Sequence, residues 1–347
     1  LYRRDHMPID VVISPEREVA DAALQRLAAP AAFDTESFLD GAVQLLGIHL
    51  EADCPVLGTP LRELTDLFST LNALVVGIRR EGTLFTPEAR DQLFAEDQIY
   101  VAAQTADVDR TLEIFGKPAR RQERVVIVGG GNVGRYLVEL LHKSRPQLPV
   151  KVIEWRDERA ETLAADHPWI NVLLGDARED ELLLEANVRA AGAVVCVTDD
   201  DEVNIMAALL AKRQGCPLAF SLVNHGNYAP LLGPLGIDVA INPRETTVSS
   251  VLRHVRRGRI RAVQSIVDGA AEVFEAEALS TSPLVGIPIK EARLPSGVVI
   301  AAVVRGKQVL TPRGDTVVNA GDRVIVAARS AMVKRVEKLF AVRLDYF

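Results

Sequence analysis

A glycine-rich stretch that directly follows an apolar run constrains this sequence more than any other feature. Residues 125–128 read Val-Val-Ile-Val, the pattern of a buried strand. Gly129, Gly131 and Gly134 follow at Gly-x-Gly-x-x-Gly spacing, and apolar residues then recur with helical periodicity. The first glycine allows a tight turn, the second lets a phosphate approach the backbone, and the third lets the helix pack on the strand. The stretch is therefore typical of a dinucleotide-binding loop, in which amides at the helix start face the phosphates.

Strand and helix patterns alternate through residues 124–242. Five further apolar runs follow the first, at residues 150–153, 172–174, 193–197, 218–223 and 239–241. Near-continuous apolar strands that alternate with helices indicate a parallel sheet covered on both faces. The predicted fold is α/β, a doubly wound, Rossmann-like domain.

An internal repeat extends over most of the chain. Ile-Asp-Val-Val-Ile-Ser-Pro at residues 9–15 recurs as Ile-Asp-Val-Ala-Ile-Asn-Pro at residues 237–243, an offset of 237 − 9 = 228. Leu-Phe-Thr-Pro at residues 84–87 recurs as Val-Leu-Thr-Pro at residues 309–312, an offset of 309 − 84 = 225. Several blocks in one order at nearly constant offset indicate a tandem architecture. Short β-rich runs separated by polar turns predict a small α+β domain in each copy.

The repeat predicts that the glycine loop of the first copy lies upstream of residue 1, so that one nucleotide-binding unit is absent from this sequence. The alternative, that the first copy never had such a unit, stays open. The expected organisation is a remnant of the first nucleotide-binding domain (1–14), a crossover helix (15–33), a first small domain (34–118), a nucleotide-binding domain (123–242), a second crossover helix (243–258) and a second small domain (259–344).

Composition narrows the class of protein. A net charge of −7 and a pI of about 5.5 argue against generic nucleic-acid binding, which usually needs a basic surface. The three cysteines lie far apart and the six histidines are scattered, so that no zinc-ligand spacing occurs and a reducing compartment is indicated. No run approaches the ~20 apolar residues of a membrane-spanning helix, and the first residues lack a signal-peptide core. We therefore expect a cytoplasmic protein without a structural metal.

An acidic residue ends the second predicted strand of the nucleotide-binding domain. Glu154 lies 25 residues after Gly129 (154 − 129 = 25), where a carboxylate accepts hydrogen bonds from the adenosine ribose and disfavours the 2′-phosphate of NADP. Arg156 is a second candidate, because a guanidinium there could pair with a phosphate instead. The pattern favours NAD over NADP. An ordinary charged residue at a strand end is the alternative.

Polar residues at the ends of the third and fourth predicted strands are further candidates. Asp176 and Ala177 follow the third strand, and Thr198, Asp199 and Glu202 follow the fourth. The carboxyl ends of parallel strands share one edge of the sheet, so these residues should line the ligand crevice. Helix capping explains the acidic residues equally well, and a divalent cation bound near residues 199–202 is a further alternative.

No catalytic constellation accompanies the predicted nucleotide site. A dehydrogenase places a His, Lys or Tyr acid/base in a substrate domain, whereas the predicted domain that follows here is small and has no His or Cys cluster. The sequence therefore favours a non-enzymatic nucleotide sensor over an NAD-dependent oxidoreductase, which remains the alternative.

Five motifs carry a resemblance to a known family. They are Ile-Val-Gly-Gly-Gly-Asn-Val-Gly at residues 127–134, Val-Ile-Glu-Trp-Arg at 152–156, Gly-Asp-Ala at 175–177, Val-Thr-Asp-Asp-Asp-Glu-Val-Asn-Ile-Met at 197–206 and Ile-Asn-Pro-Arg-Glu-Thr-Thr-Val-Ser at 241–249. Together with the paired small domains, they resemble the TrkA family of cytosolic, RCK-type regulatory subunits of bacterial Trk potassium uptake systems. The resemblance spans essentially the whole chain.

The resemblance implies a fold, a ligand and a partner. It implies an RCK N-terminal domain with two small RCK C-terminal domains, regulation by NAD or NADH, and binding of ATP or ADP in some members. It implies a homo-oligomer, a dimer or a tetramer, on the cytoplasmic face of the membrane against a potassium-translocating subunit of the TrkH or TrkG type. The gating domain of another potassium channel or transporter is the alternative. By the resemblance, the ligand contacts are Gly129, Gly130, Gly131, Asn132, Val133, Glu154 and Glu202.

Overall fold

The computed structural model describes residues 12–68, 70–117, 124–255, 260–266, 270–292, 294–306 and 308–340, with the backbone alone for residues 252–255, 260–266, 337 and 338. The described parts of residues 1–30 and 120–251 form one compact unit, and those of residues 31–119 and 252–347 form another. In these ranges, no helix combines the length and the apolar character that crossing a membrane requires. Each unit is described by itself below.

The first part of the chain contains one long helix and a small antiparallel domain. Its elements are α1 (Pro15–Ala28), β1 (Asp34–Phe38), β2 (Val43–His49), α2 (Leu61–Leu67), β3 (Ala73–Arg80), β4 (Thr83–Phe85), β5 (Gln98–Gln104) and α3 (Val108–Ile114).

The middle of the chain alternates strands and helices, as its apolar runs predict. Its elements are β6 (Val125–Val128), α4 (Asn132–Ser144), β7 (Val150–Glu154), α5 (Asp157–Asp166), β8 (Asn171–Leu174), α6 (Asp180–Ala186), β9 (Ala193–Cys196), α7 (Asp201–Arg213), β10 (Ala219–Leu222), α8 (Ala229–Leu232), β11 (Val239–Ile241) and α9 (Pro243–Val255).

The last part repeats the small antiparallel domain. Its elements are β12 (Ile260–Ile266), β13 (Ala271–Glu277), β14 (Val298–Arg305), β15 (Gln308–Leu310), β16 (Arg323–Arg329) and α10 (Val333–Phe340).

The six central strands form a single parallel sheet in the order β11-β10-β9-β6-β7-β8. Every residue of β6 and β9 is buried, because helices cover both faces of the sheet. The chain reverses direction across the sheet at β6: β7 and β8 lie on one side of it, and β9, β10 and β11 lie on the other. The predicted doubly wound α/β fold is confirmed.

Helix α1 belongs to the parallel-sheet unit. Its apolar residues Val19, Ala20, Ala23 and Leu27 are buried in the same core cluster as the α4 side chains and one face of the sheet. The expected crossover segment ran to residue 33, but the helix ends at Ala28. Pro30 explains this end, because the residue before a proline is disfavoured in the helical conformation. Residues 1–11 of the expected remnant lie outside the described residues.

The two antiparallel sheets have the same topology. Their strand orders are β1-β2-β5-β3-β4 and β12-β13-β16-β14-β15, as the internal repeat predicts. Apolar side chains from both sheets share one core cluster, in which Phe38 and Tyr100 from the first copy lie with Ala302 and Ile325 from the second. The copies differ where α2 forms two turns, since the described residues of the second copy form a short 3₁₀ turn there, at Ile289–Glu291.

Candidate functional site

A crevice of about 1360 Å³ opens at the carboxyl ends of β6, β7, β8 and β9. It lies where the chain reverses direction across the sheet, the position at which doubly wound folds bind their ligands. The predicted site residues that line it are Gly129, Gly130, Gly131, Asn132, Val133, Glu154, Asp176, Ala177, Thr198, Asp199 and Glu202. Gly134 and Arg156 do not line it.

The glycine loop has the geometry that its spacing predicts. Gly129 adopts φ +106°, and a Cβ there would lie 3.0 Å from the Thr198 amide nitrogen. A Cβ on Gly134 would lie 2.0 Å from the Gly129 carbonyl oxygen, so only glycine fits the close approach of α4 to the strand. Gly131 precedes α4, and a Cβ there would meet only Arg159 Nη1, at 3.6 Å. The backbone at Gly131 is therefore accessible from the crevice.

Glu154, the last residue of β7, accepts a hydrogen bond from this loop. Its side chain is only 1% exposed, and the Gly130 amide donates to its Oε2 atom at 2.7 Å. The Arg156 amide donates to Oε1 at 2.9 Å. A carboxylate has about four acceptor positions, so two amide donors leave capacity for hydroxyl groups of a ligand in the crevice. Glu154 thus holds the glycine loop in position from the wall of the crevice.

The guanidinium that reaches the crevice next to Glu154 belongs to Arg159. Its Nη1 atom lies 3.8 Å from Glu154 Oε2, and the side chain is 39% exposed. Arg156, the candidate from the sequence, instead stacks on its neighbour: its Cζ atom lies 5.1 Å from the centre of the Trp155 ring. Trp155 itself lines the crevice. Arg159, and not Arg156, therefore places a cation in the crevice near Gly131.

Asp176 and Arg178 form a bidentate pair on the β8 side of the crevice. Arg178 donates from Nε to Asp176 Oδ1 at 3.0 Å and from Nη2 to Oδ2 at 2.6 Å. The hydrogen bonds from Arg178 hold the pKa of Asp176 below its usual range. Ala177 between them is buried in the core. Asp176 is therefore an ion-paired carboxylate at the crevice wall.

The residues after β9 have different environments although they are adjacent in sequence. The Thr198 amide and hydroxyl both donate to Asn204 Oδ1, at 2.8 Å each. Asp200 caps α7 by accepting from the Val203 amide at 3.0 Å. Asp199 and Glu202 are exposed in the crevice wall. Capping thus accounts for Asp200, and the side chains of Asp199 and Glu202 reach the ligand space.

Asp201 is buried beneath the opposite rim of the crevice. It accepts from the Asn224 and His225 amides at 2.8 and 2.9 Å, and it lies 2.9 Å from His225 Nδ1. Burial raises the pKa of Asp201, but the hydrogen bonds from Asn224 and His225 outweigh it, so the net shift is downwards. The carboxylate therefore stabilises the loop after β10 in its ionised form.

Among the side chains that the structure describes, no group of three or more His, Cys, Asp or Glu residues is arranged to hold a metal ion.

Sequence reasoning missed several residues that line the crevice, among them Trp155, Arg159 and Asp201. Arg159 and Trp155 lie within five residues of Glu154, and that proximity was the available signal; nothing in the sequence separates Asp201 from its acidic neighbours.

Two family models match this chain. The TrkA-N domain model matches residues 125–243, which contain the parallel sheet and the glycine loop. The TrkA-C domain model matches twice, at residues 45–116 and 273–341, within the two antiparallel copies.

Relatives that are similar to the whole chain carry a consistent name. The Trk system potassium uptake protein TrkA of Azorhizobium caulinodans is 48% identical over 347 residues, which covers 100% of this chain and 76% of that protein. The protein of the same name from Halomonas elongata is 37% identical, with 100% and 76% coverage. These relatives carry the name of a potassium uptake protein and not that of an enzyme, in agreement with the prediction that the chain is not an enzyme.

A solved structure supports the fold. The crystal structure of the GsuK RCK domain aligns with a TM-score of 0.50 at 20% identity, covering 96% of this chain and 71% of that one. By its domain matches and by its similarity to whole relatives, the chain belongs to the TrkA family of Trk system potassium uptake proteins.

Proposed function

We propose that this chain is a regulatory subunit that binds NAD or NADH in the crevice and thereby controls potassium uptake through a Trk-type membrane transporter. One observation carries the proposal: the buried Glu154 carboxylate accepts from the Gly130 amide at 2.7 Å, directly at the loop that would hold a pyrophosphate. The ribose of such a ligand would contact the Glu154 carboxylate, and its phosphates would contact the loop that carries the Gly130 amide. Ligand binding and loop position are then linked.

The carboxylate favours the non-phosphorylated dinucleotide. Glu154 is buried in the wall of the crevice, and a 2′-phosphate beside it would bring two negative charges together. Arg159 lies close enough to interact with a phosphate on the glycine loop. ADP and ATP share the adenosine and phosphate groups with NAD, so the same site would accept them as competing ligands.

The partner is a potassium-translocating membrane subunit of the TrkH or TrkG type, and the chain acts as a homo-oligomer against its cytoplasmic face. Family membership supports this proposal, since the relatives are named as proteins of the Trk potassium uptake system. A ligand can shift such an assembly only by binding its two states unequally. A coupling of about 1–3 kcal/mol is typical of such regulation.

Potassium flux in reconstituted vesicles tests the control function. The full-length regulatory protein and the membrane subunit are reconstituted together, and flux is measured as NADH is titrated. We expect NADH to change the flux with the wild-type protein and with Glu158→Gln, because Glu158 is exposed and lies outside the crevice. We expect Glu154→Gln to abolish the response at the same NADH concentrations.

Two results would contradict the proposal. One is a flux that does not depend on NADH although the two subunits co-purify as a complex. The other is an unchanged NADH response in the Glu154→Gln protein, which would remove the crevice from the regulatory mechanism.

A further inference from the structure

A tryptophan lies at the wall of the crevice with most of its ring uncovered. Trp155 follows Glu154 directly, lines the crevice and is 64% exposed. Tryptophan is among the most buried residue types on average, so an exposed indole at a ligand crevice is unusual. The Trp155 indole contributes little to the stability of the fold at this position, because little of its apolar surface is removed from water.

The indole is restrained although it is exposed. The Arg156 guanidinium lies over its ring at 5.1 Å, within the distance of a cation–π contact. The Glu154 side chain in turn fixes the Arg156 backbone, since it accepts from the Arg156 amide at 2.9 Å. The aromatic ring and the carboxylate are thus held next to each other on one short segment.

This neighbourhood matches the covalent structure of a nucleoside. A carboxylate that binds ribose hydroxyls places the base, which is attached to the same sugar, within a few ångströms. The residue that follows Glu154 offers an aromatic ring that lines the same crevice. Stacking on an aromatic side chain is a general way to bind a nucleobase, and differences in stacking strength give such sites a modest base preference. A two-ring purine covers more of an indole than a one-ring pyrimidine does, so an indole favours a purine.

We propose that Trp155 is the platform on which the adenine ring of the bound nucleotide stacks, and that it gives the site its preference for a purine. The inference rests on the proposed nucleotide-binding function and adds the identity of the base-binding residue. Trp155 is a specificity residue for the adenosine half of the ligand. It would contribute equally to the binding of NADH and of ADP, because both carry that half.

The chain provides a matched control for the test. It contains two tryptophans, and the second, Trp169, is 43% exposed, lies outside the crevice and stacks on His142 with 4.3 Å between the ring centres. Trp155→Leu and Trp169→Leu therefore remove the same ring from two partly exposed positions, one inside the site and one outside it. Each variant also leaves a single tryptophan as a fluorescent probe.

Calorimetric titration with ADP, UDP and NADH gives the decisive comparison. We expect Trp155→Leu to weaken ADP and NADH binding about tenfold, within the range of one base–aromatic stack. We expect a smaller loss for UDP, so that the ratio of ADP to UDP affinity falls. Trp155→Phe should restore part of the ratio, and Trp169→Leu should leave it unchanged. In the Trp169→Leu protein, ADP should quench the emission of Trp155.

The outcomes separate this inference from the proposed function. One outcome is that Trp155→Leu binds ADP and NADH as tightly as Trp169→Leu does, while Glu154→Gln binds both ligands more weakly. That result would disprove stacking of adenine on Trp155 and would leave the proposed nucleotide site intact. An equal loss for ADP and UDP in Trp155→Leu would make Trp155 a structural support for Glu154 and overturn the purine preference. If the wild-type protein binds none of the three ligands, both proposals fail together.

Discussion

Buried carboxylates have different partners in the two units. In the antiparallel unit, Asp97 and Asp322 occupy equivalent positions in the two copies (322 − 97 = 225), and their side chains are 1% and 3% exposed. Arg80 donates to Asp97 through Nε and Nη2 at 2.8 and 2.7 Å. Arg305 donates to Asp322 through the same atoms at 3.1 and 2.8 Å.

Glu154 in the parallel-sheet unit is buried to the same degree but is bound differently. Two backbone amides donate to it, and the nearest guanidinium, that of Arg159, lies 3.8 Å away. A bidentate arginine directs two donors at a carboxylate in a fixed geometry, whereas two single amides leave acceptor positions open.

The difference separates two kinds of buried carboxylate in this chain: those that the repeated fold uses, and the one that we propose binds a ligand. Asp97 and Asp322 have the same partners in both copies, as expected for a contact that the repeated fold requires. Glu154 has acceptor capacity left and faces a crevice. The three carboxylates are buried to a similar degree, and they differ in the groups that donate hydrogen bonds to them.

The largest effect is expected from Gly134→Ala, which alters the loop that holds the Gly130 amide against Glu154. The new Cβ would lie 2.0 Å from the Gly129 carbonyl oxygen, so α4 and the loop must separate. We expect loss of measurable NADH binding and a destabilisation of about 3 kcal/mol, the upper end for overpacking. Calorimetry and urea denaturation measure the two effects. Gly233→Ala is the control, since nothing lies within 4 Å of a Cβ there; a normal affinity in Gly134→Ala would show that the loop geometry is not required.

A smaller effect, on stability alone, is expected from Asp322→Ala in the antiparallel unit. The change leaves Arg305 without its bidentate partner and the Asn319 amide without its acceptor at 2.8 Å. Because Arg305 is 41% exposed and can be hydrated, we expect a loss of about 2 kcal/mol and unchanged NADH affinity. Asp97→Ala should lose a similar amount, and the exposed Asp315→Ala should lose little. Weakened NADH binding in either variant would contradict the assignment of these residues to the scaffold.

The smallest effect is expected from Asp201→Asn, and it should depend on pH. The pKa of Asp201 is lowered in the folded protein, so its stabilising contribution is present above its unfolded pKa of about 3.9 and is lost as pH falls through the lower folded value. Asp201→Asn should therefore cost about 1 kcal/mol at pH 7, and the difference from the wild type should shrink below about pH 4. Thermal melts across this range measure it. A stability difference that grows as pH falls would mean that folding raises the pKa of Asp201 and does not lower it.

Much of this architecture could be predicted from local patterns. The strand β11 has the predicted bounds, and β6 begins and ends at the predicted residues, because continuous apolar runs between polar turns leave little choice of structure. The repeat predicted one topology for both antiparallel sheets. Glu154 was identified by its position at the end of a strand after the glycine loop.

The remainder depended on tertiary contacts that a single sequence does not encode locally. Residues 199–202 are four adjacent acids, yet only Asp201 is buried, because its side chain meets the loop after β10. The different positions of Arg156 and Arg159 follow from the start of α5 at Asp157. Arg159 belongs to the first turn of this helix and lines the crevice, whereas Arg156 precedes the helix and does not line it.

NADH calorimetry on Glu154→Gln shows whether Glu154 has a ligand-binding role that Asp97 and Asp322 lack. We expect Glu154→Gln to bind NADH at least about tenfold more weakly than the wild type, as expected for loss of a charged acceptor, while Glu158→Gln binds normally. Equal NADH affinity in Glu154→Gln and the wild type would show that Glu154 has no such role.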